Sequence, residues 1–269
     1  MMTTDFLTSV ERALPYSKYF FRDMPSLTTT QLKALENGSL SESDMLPIEN
    51  RRQLLNGIYT DGDIGFGIFE NGTGYVANIT SMPNVTPEMF YWWFAWHALE
   101  DLRYKIWFPE KHYFARTQNL ELALNETRPM EERIWGTTHL ICEDVVAGAE
   151  EVFLDFLFPE EMGYDELKLG SDKASAMVCA NGHTRVPGQG LNCVMTHLLR
   201  KGPSGYELRS QFWIGYQIID GKVFRVIPDE TQIPLDAAKS LFKHCCIEFA
   251  NLREILPSLY NDNKDKSFL

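Results

Sequence analysis

The chain has 269 residues, 44% of them hydrophobic and 13% aromatic, which is enough to bury a sizeable core in one large domain or in a domain with a smaller neighbour. The formal net charge of −12 argues against nucleic acid or an anionic membrane surface as a partner, and no apolar run is long enough to span a bilayer. The five cysteines are an odd number and the first residues lack the features of a secretory signal, so we expect free thiols in a cytoplasmic protein.

The first 60 residues predict a small, mostly helical section. They are short polar and apolar segments interrupted by three prolines. The threonines at 28–30 are typical of a helix start, because a hydroxyl can accept a hydrogen bond from a free backbone amide of the first turn. Residues 49–58 are a second helix candidate.

From position 63 the pattern changes to strands. Residues 64–70 and 74–80 are rich in β-branched and aromatic side chains, and Asn71 and Gly72 lie between them. This dipeptide favours the tight turn of a β-hairpin, because both of its residues tolerate positive φ. We therefore predict two antiparallel strands joined at this turn.

A strongly aromatic stretch follows. The threonine, proline and glutamate at 86–88 predict a helix start, since they supply an N-cap hydroxyl, a proline at the first helical position and an acid in the first turn. Large apolar side chains then cover most of the circumference, which predicts a nearly buried helix over about 87–101. Pro109 ends any helix, so the chain passes from this core into a polar corner that ends at His112. The large side chains of the helix are Phe90, Trp92, Trp93, Phe94 and Trp96.

The middle of the chain predicts an antiparallel sheet. Residues 136–146 alternate between polar and apolar side chains, and 153–158 form an apolar run. Residues 159–189 contain glycines and few large apolar groups, so we predict a long loop of the kind that often carries function. Glycine-containing turns separate three further strand candidates, which indicates an antiparallel meander. These candidates are 191–200, 205–214 and 222–228.

The last predicted element is a long helix between Pro234 and Pro257. Its apolar residues share one arc at about 100° per residue, and its lysines lie opposite. Two polar residues, His244 and Glu248, fall inside the apolar arc. Residues 261–269 are polar and predict a flexible tail.

His244 and Glu248 are separated by one helical turn, so an imidazole and a carboxylate project from the same face. A carboxylate turned toward a core is destabilising unless it is paired or bound to a metal. The pattern therefore indicates either a metal site or a buried hydrogen bond between the two side chains. Cys245 and Cys246 lie between them and point about 100° apart, which is more typical of core thiols than of a metal-binding pair.

Glu143 is a second carboxylate on an apolar face, because the same side of its predicted strand carries Ile141 and Val145. The alternative for Glu143 is a salt bridge to a neighbouring arginine such as Arg133. His112 is a further candidate ligand, although its position also suits an ordinary loop histidine.

Two histidines and two glutamates with an open coordination position would suit zinc or another divalent first-row metal. Other histidines compete with these candidates. His97 and Asp101 have the same spacing on the aromatic helix, and His139 shares a strand face with Glu143. The chemistry of the residues alone does not choose among them.

The aromatic stretch resembles a known family. The run 87–97, Pro-Glu-Met-Phe-Tyr-Trp-Trp-Phe-Ala-Trp-His, and the run 103–112, Arg-Tyr-Lys-Ile-Trp-Phe-Pro-Glu-Lys-His, are similar to the signature of the diacetylphloroglucinol hydrolase and phloretin hydrolase family. The resemblance extends to Glu143 and to the C-terminal His-x-x-x-Glu motif, and it covers roughly residues 60–257.

This family resemblance implies an α+β, START-like helix-grip fold, in which a curved antiparallel sheet surrounds a long C-terminal helix. The helix-grip catalytic domain would span 61–260, after the small helical section 1–60 and before the flexible tail 261–269. The family also implies a homodimer.

The resemblance further implies a single bound Zn²⁺. Its motif positions assign four ligands, and they leave His97 and His139 as structural residues or as neighbours of the ligands. Tyr104 resembles a tyrosine that contacts the substrate, His197 resembles a pocket histidine, and Tyr206 resembles a second substrate-binding tyrosine. We expect Tyr104 or His197 to act in catalysis as a proton shuttle. The four implied zinc ligands are His112, Glu143, His244 and Glu248.

The implied reaction is zinc-dependent hydrolysis of the carbon–carbon bond between an acyl group and a phloroglucinol-type ring, as in phloretin or an acetylated phloroglucinol. A trihydroxylated ring can take a keto tautomer that is protonated at the acyl-bearing carbon, so the bond can break as in a β-diketone and release an enolate. The aromatic helix and the predicted loop 159–189 would wall the pocket of a flat phenolic substrate.

A different class of function is a non-catalytic helix-grip protein that binds phenolic or lipid ligands, since fold alone does not assign chemistry. Two core-facing carboxylates together with two histidines favour the hydrolase, because a hydrophobic binding protein does not need them. Bound metal and activity on an acylphloroglucinol would separate the two functions.

Overall fold

The N-terminal part of the chain consists of short helices. The computed structural model describes residues 6–185 and 192–268, and its first helices are α1 (Ser9–Ala13) and α2 (Thr29–Asn37). Each begins with a capping box, in which a threonine hydroxyl accepts from the amide of the third helical residue and the side chain of that residue accepts from the threonine amide. The threonines at 28–30 therefore mark a helix start, as predicted. Three 3₁₀ helices accompany them, at Ser17–Phe21, Ile48–Asn56 and Asp61–Asp63.

The aromatic stretch forms two helices in place of the single predicted one. The first is α3 (Pro87–Trp96), which begins after Thr86 and continues as a 3₁₀ turn over His97–Leu99. Glu100 then adopts an extended conformation, and α4 (Asp101–Lys105) follows. Nearly every large side chain of α3 is buried, as its composition predicted.

In the described part of the chain, eight antiparallel strands form one sheet. They are β1 (Gly65–Ile68), β2 (Gly74–Met82), β3 (His112–Thr117), β4 (Thr138–Asp144), β5 (Ala149–Phe156), β6 (Ala176–His183), β7 (Cys193–Gly202) and β8 (Gly205–Ile214). The order across the sheet is β1-β2-β8-β7-β6-β5-β4-β3, so β1 and β3 form its two edges. The hairpin predicted at Asn71 and Gly72 joins β1 to β2, and Gly72 has the positive φ, 83°, that this turn requires.

Two strands of the sheet were not predicted from the sequence. β3 follows the polar corner directly, and β6 lies inside the predicted loop 159–189. β6 is rich in small residues that have weak strand preference by themselves, but it pairs with β5 on one side and with β7 on the other. Its conformation is therefore decided by tertiary pairing, which overrides local propensity.

One predicted strand lies outside the sheet. Residues 222–228 contain β10 (Lys222–Arg225), which pairs with β9 (Tyr216–Ile219) in a separate two-stranded ribbon. A short helix, α5, lies between β3 and β4, at Leu120–Ala123.

The C-terminal helix is longer than predicted. α6 (Leu235–Asn263) continues through Pro257, although a proline removes one hydrogen bond of a helix interior. Buried neighbours such as Leu259 offset this loss, because tertiary packing stabilises a helix more than local propensity does. Within the predicted flexible tail, Phe268 is buried and packs edge-on against Trp92, while the flexibility of the tail stays a prediction.

α6 packs against β1 and β2 on one face of the sheet, together with α3. The opposite face carries a second core, in which Tyr75 and Trp213 pack beneath Leu54 and Leu55 of the N-terminal part. A large antiparallel sheet that holds a long C-terminal helix confirms the predicted α+β helix-grip arrangement, while the boundary proposed at residue 60 stays a prediction. Among the described residues, no helix combines the length and the apolar character needed to cross a membrane.

Candidate metal centre and ligand cavity

His112 is the first residue of β3 and follows a tight turn. Glu110 has a positive φ of 69° in this turn, and the His112 amide donates to Phe108 O over 2.9 Å. The imidazole is buried, and its Nδ1 lies 3.3 Å from Tyr104 O. A carbonyl oxygen can only accept a hydrogen bond, so Nδ1 carries the proton and Nε2 presents a lone pair. His112 is thereby oriented to bind a metal through Nε2.

His244 and Glu248 come from α6. Both side chains project from one face of the helix, as predicted. His244 Nε2 lies 3.0 Å from His112 Nε2, while Glu248 Oε2 lies 3.6 Å from His112 Nε2 and 4.0 Å from His244 Nε2. All three residues are buried, and their ligand atoms lie within 4.8 Å of one another. One ion could contact all three side chains.

Glu143 reaches the same cluster from β4. It is the cross-strand partner of His112, which is followed by a β-bulge. Its Oε2 lies 3.4 Å from His112 Nε2 and 3.7 Å from His244 Nε2. The structure thus brings together the four residues that the family resemblance names as ligands. The alternative partner, Arg133, instead donates from Nε to Ala123 O.

Burial dominates the electrostatics of this cluster. It raises the pKa of Glu143 to about 7, and together with the charge of Glu143 it raises the pKa of Glu248 far above the usual range. Burial also lowers the pKa of His112 well below its usual value and that of His244 to about 3. Two neutral rings then face each other with Nε2 atoms 3.0 Å apart. A divalent cation fits this donor set, because each neutral imidazole can offer it a lone pair from Nε2 and the ion would stabilise both carboxylates.

Tyr104, on α4, holds Glu143 in place. Its hydroxyl donates to Glu143 Oε2 over 2.6 Å, and its ring stacks on His112 with centroids 4.0 Å apart and planes 6° apart. Burial and the two nearby carboxylates raise the pKa of Tyr104 well above its usual value. The phenol therefore keeps its proton and uses it in the hydrogen bond to Glu143. Tyr104 also lines the cavity described below.

A cavity of about 660 Å³ adjoins the cluster, a size typical of small-molecule sites. Glu143, His244 and Glu248 contribute to its wall. Of the described part of the predicted loop 159–189, Gly182 lines the cavity, and it belongs to β6. Residues 186–189 of the predicted loop lie outside the described residues, so the expectation that this loop walls the pocket stays a prediction. Besides Tyr104, the wall contains the aromatic residues Phe94, Trp107, Phe156 and Phe212.

His197, on β7, also lines the cavity. Its Nδ1 lies 2.9 Å from the hydroxyl of Ser210, its cross-strand partner on β8. Phe94 and Phe249 pack on its ring, with centroids 6.1 and 4.7 Å away. Burial lowers the pKa of His197 to about 3, so the ring is neutral near pH 7. Within residues 6–185 and 192–268 its Nε2 has no hydrogen-bond partner.

Tyr206 does not belong to this cavity wall. It is the second residue of β8 and pairs with Met82 and Lys201, whereas the cavity is lined by Phe212 of the same strand. Six strand positions separate the two residues, which amounts to about 20 Å at 3.3 Å per residue. Tyr206 therefore lies away from the cavity wall, and its contact with the substrate stays a prediction.

The competing histidines lie beside the cluster and do not join it. His97 Nδ1 is 3.0 Å from Trp93 O, and the ring lines the cavity. His139 Nε2 is 3.3 Å from Thr137 Oγ1, and its ring meets the His97 ring edge-on. Neither side chain comes within contact of the ligand atoms described above.

Two parts of the cavity wall are absent from the sequence-based prediction. These are Phe212 and the turn between β4 and β5, whose residues 145–148 line the cavity. This turn has apolar residues where turns are usually polar, and Val146 is 46% exposed. An apolar β-turn is a signal that could have marked this segment as part of a binding site.

The family model described as "DAPG hydrolase PhiG domain" matches residues 46–261 of the chain. The chain is 39% identical over 258 residues to phloretin hydrolase from Eubacterium ramulus, a match that covers 95% of this chain and 92% of that protein. It is 27% identical over 277 residues to 2,4-diacetylphloroglucinol hydrolase from Pseudomonas sp, with 93% and 89% covered.

Matches among solved structures include Ara h 8.0201, with a TM-score of 0.41 and 11% identity over 70% of this chain and 99% of that one. Ginseng major latex-like protein 151 from Panax ginseng gives a TM-score of 0.37 and 12% identity, over 67% of this chain and 99% of that one. Both are distant in sequence.

Proposed function

Because the chain belongs to the DAPG hydrolase PhiG domain family, we propose that it is a zinc-dependent hydrolase of acylated phloroglucinols. It cleaves the carbon–carbon bond between an acyl group and the ring and releases a phloroglucinol compound and a carboxylic acid. The observation that carries this proposal is a cluster of two imidazoles and two carboxylates beside an aromatic cavity. The cluster consists of His112, Glu143, His244 and Glu248.

The donor set of the cluster suits zinc. His112 and His244 would bind through Nε2, and Glu143 and Glu248 through carboxylate oxygens. Zinc held there supplies Lewis acidity toward an acyl carbonyl and toward water. Two carboxylates offset the charge of the ion, so we expect a protein base near the cluster.

The bond to be broken joins the acyl carbon to the ring, and an aryl carbanion is too poor a leaving group. The trihydroxylated ring avoids this through its keto tautomer, in which a hydroxyl loses its proton and the acyl-bearing carbon gains one. Water then adds its oxygen to the acyl carbon and gives up a proton, the carbon–carbon bond breaks, and its electron pair passes to the ring carbonyl as an enolate. The proton from water is then taken up by the enolate, which gives the deacylated phenol beside the carboxylic acid.

We assign the proton shuttle to His197. Its ring is neutral, Ser210 anchors Nδ1, and Nε2 has no partner within the described chain. Such a group can accept a proton from a ring hydroxyl and return it to the acyl-bearing carbon. Tyr104 acts differently, because its hydroxyl proton is bonded to Glu143 and thereby positions a ligand.

The rest of the cavity fits a phenolic ketone. Phe94 and Trp107 offer flat aromatic surfaces against which a ring can pack. Val152, Leu154 and Leu241 provide an apolar surface that suits the carbon chain of an acyl group. These walls also exclude water from the ring while it is in the keto form.

Metal content and activity test this proposal together. We expect protein purified without added metal to hold stoichiometric zinc, to hydrolyse phloretin or an acetylated phloroglucinol, and to lose activity when a chelator removes the zinc. Added zinc should restore the activity. Glu248→Gln should lose both the bound zinc and the hydrolase activity, whereas Glu254→Gln, on the exposed side of the same helix, should keep both. Absence of bound metal and of zinc-restored activity would contradict the proposal and leave a non-catalytic binder of phenolic ligands.

A homodimer and a cytoplasmic location also belong to the proposal. They rest on the family resemblance and on the five cysteines, all of which are free. Analytical ultracentrifugation measures the first property, and fractionation of cells measures the second.

A further inference from the structure

His97 is a second cavity histidine that the proposed metal site does not use. It follows α3, and its ring lines the cavity. The ring is stacked on Tyr104, with centroids 5.8 Å apart and planes 28° apart, and Tyr104 in turn stacks on His112. Among the described residues, His97 and His112 make no ring contact with each other. Tyr104 therefore lies between His97 and the metal cluster.

A hydrogen bond to the backbone determines where the His97 ring carries its proton. Nδ1 lies 3.0 Å from Trp93 O, which can only accept, so Nδ1 is protonated. Burial lowers the pKa of His97 to about 4, so the ring is neutral near pH 7. In this tautomer Nε2 has a lone pair and no proton, and it can only accept a hydrogen bond.

No group of the described chain donates to His97 Nε2. The rings around it belong to Trp93, Phe94, Trp107 and His139, and none of them gives it a hydrogen bond. His97 Nε2 is not among the fully buried unpaired atoms of the described chain, so it is open to the cavity that the ring lines. A donor carried by the ligand of this cavity can therefore form a hydrogen bond to it.

The other two buried histidines outside the cluster do not combine these properties. His139 is bonded through Nε2 to Thr137 and does not line the cavity. His197 lines the cavity, but its Nδ1 partner is the Ser210 hydroxyl, which can either donate or accept, so the tautomer is free to change. A changeable tautomer suits a proton shuttle, and a fixed one suits recognition of a donor.

We propose that His97 Nε2 accepts a hydrogen bond from the ring hydroxyl para to the acyl group and thereby selects rings that carry a hydroxyl at that position. The identity of the ligand rests on the proposed function. The acyl carbon has to lie at the metal cluster, and Tyr104 separates His97 from that cluster. His97 therefore meets the opposite end of the ring, where the para hydroxyl lies.

Two carboxamides test the proposal. They contain no ketone to hydrolyse, but their amide carbonyl takes the place of the acyl carbonyl and should orient the ring in the same way. They are 2,4,6-trihydroxybenzamide and 2,6-dihydroxybenzamide, which lacks the para hydroxyl. We expect the zinc-containing wild type to bind the trihydroxy compound roughly tenfold more tightly in isothermal titration calorimetry. His97→Phe and His97→Leu both remove the acceptor, and the two affinities should become nearly equal in each. His139→Leu removes the neighbouring buried imidazole and should keep the tenfold difference.

Thermal melts identify which variants are folded, and either folded His97 variant is sufficient for the comparison. A wild-type affinity ratio in a folded His97 variant overturns the assignment of His97, even if the protein hydrolyses acylphloroglucinols. A different outcome is that the ratio of the two affinities falls to about one in the His97 variants while the wild-type protein shows no hydrolase activity. That outcome supports recognition of the para hydroxyl and rejects the proposed function. The two proposals therefore fail separately.

Discussion

At the residue scale, backbone carbonyls decide what two histidines of this protein can do. His112 Nδ1 faces Tyr104 O and His97 Nδ1 faces Trp93 O, so each ring has its lone pair on Nε2. In His112 that lone pair lies in the metal cluster, and in His97 it belongs to the cavity wall. The sequence contains both histidines but does not show which carbonyl each ring meets. Tyr104 contacts both rings and also bonds to Glu143.

Tyr104→Phe removes the hydroxyl that donates to Glu143 and keeps the ring that stacks on His112. We expect zinc affinity to fall roughly tenfold or more, and kcat/KM to fall with it, because partners of metal ligands typically contribute 10–100-fold. His197→Phe should instead lower kcat by about 10²–10⁴ while zinc stays stoichiometric. Zinc retention against a buffered chelator and steady-state kinetics separate the two effects.

Tyr113→Phe is the matched control, because Tyr113 lies next to His112 on β3 and its ring packs against Phe6. It should retain both zinc and activity. Wild-type zinc affinity in Tyr104→Phe would show that the bond to Glu143 does not support the site. Unchanged turnover in His197→Phe would reject the proton shuttle.

At the element scale, hydrogen bonds tie α6 to the polar corner that precedes β3. Asn251 Nδ2 donates to Ile106 O over 3.0 Å and to Trp107 O over 2.8 Å. In the opposite direction, Trp107 Nε1 donates to Glu248 O over 2.9 Å. These carbonyls of the corner follow the end of α4 and would otherwise be buried without donors. The bonds therefore set the distance between the helix that carries His244 and the strand that carries His112.

Asn251→Ala should leave the carbonyls of Ile106 and Trp107 without donors. We expect the free energy of unfolding to fall by about 2–4 kcal/mol and zinc affinity to fall as well, since α6 is no longer held against the corner. Chemical denaturation with and without a chelator measures the first effect, and competition with a buffered chelator measures the second. Asn261→Ala, at an exposed position of the same helix, should change neither. Equal stability of the two variants would count against this account.

Elements differ in how far the sequence predicts them. The start of α3, the turn at Asn71 and the pair on α6 depend on residues a few positions apart, and all three were predicted correctly. β6 and the passage of α6 through Pro257 were not predicted. In both cases packing against distant elements outweighs an unfavourable local preference.

At the scale of the whole molecule, the candidate metal centre joins two regions that are remote in sequence. His112 and His244 are 132 positions apart, yet their Nε2 atoms lie 3.0 Å apart. β3 is one edge of the sheet, whereas α6 packs against β1 and β2 at the other edge. The helix therefore crosses the sheet face, and the cluster connects its middle to the far edge. A bound ion would therefore link the middle of α6 to the edge strand β3.

We therefore expect zinc to stabilise the whole protein. Binding at a thousandfold excess over Kd contributes about 4 kcal/mol, which corresponds to a rise in Tm of about 10 °C for a chain of this size. Differential scanning calorimetry with and without a chelator measures the shift. Glu248→Gln should abolish it and Glu254→Gln should preserve it. An identical Tm in the presence and absence of the chelator would contradict a metal that ties α6 to β3 and β4.

The sequence by itself determined those local elements that depend on neighbouring residues, such as the start of α3 and the hairpin between β1 and β2, as well as the residue types of the candidate site. Through the family resemblance it also indicated which histidines and glutamates to compare. The local elements follow from capping, turn and periodicity rules that act over a few residues. Only the tertiary structure decided that Glu143 faces His112, that Tyr206 lies away from the cavity and that the Nδ1 atom of His97 faces the carbonyl of Trp93. Those outcomes depend on strand register and on contacts between elements far apart in the chain, and no local rule contains them.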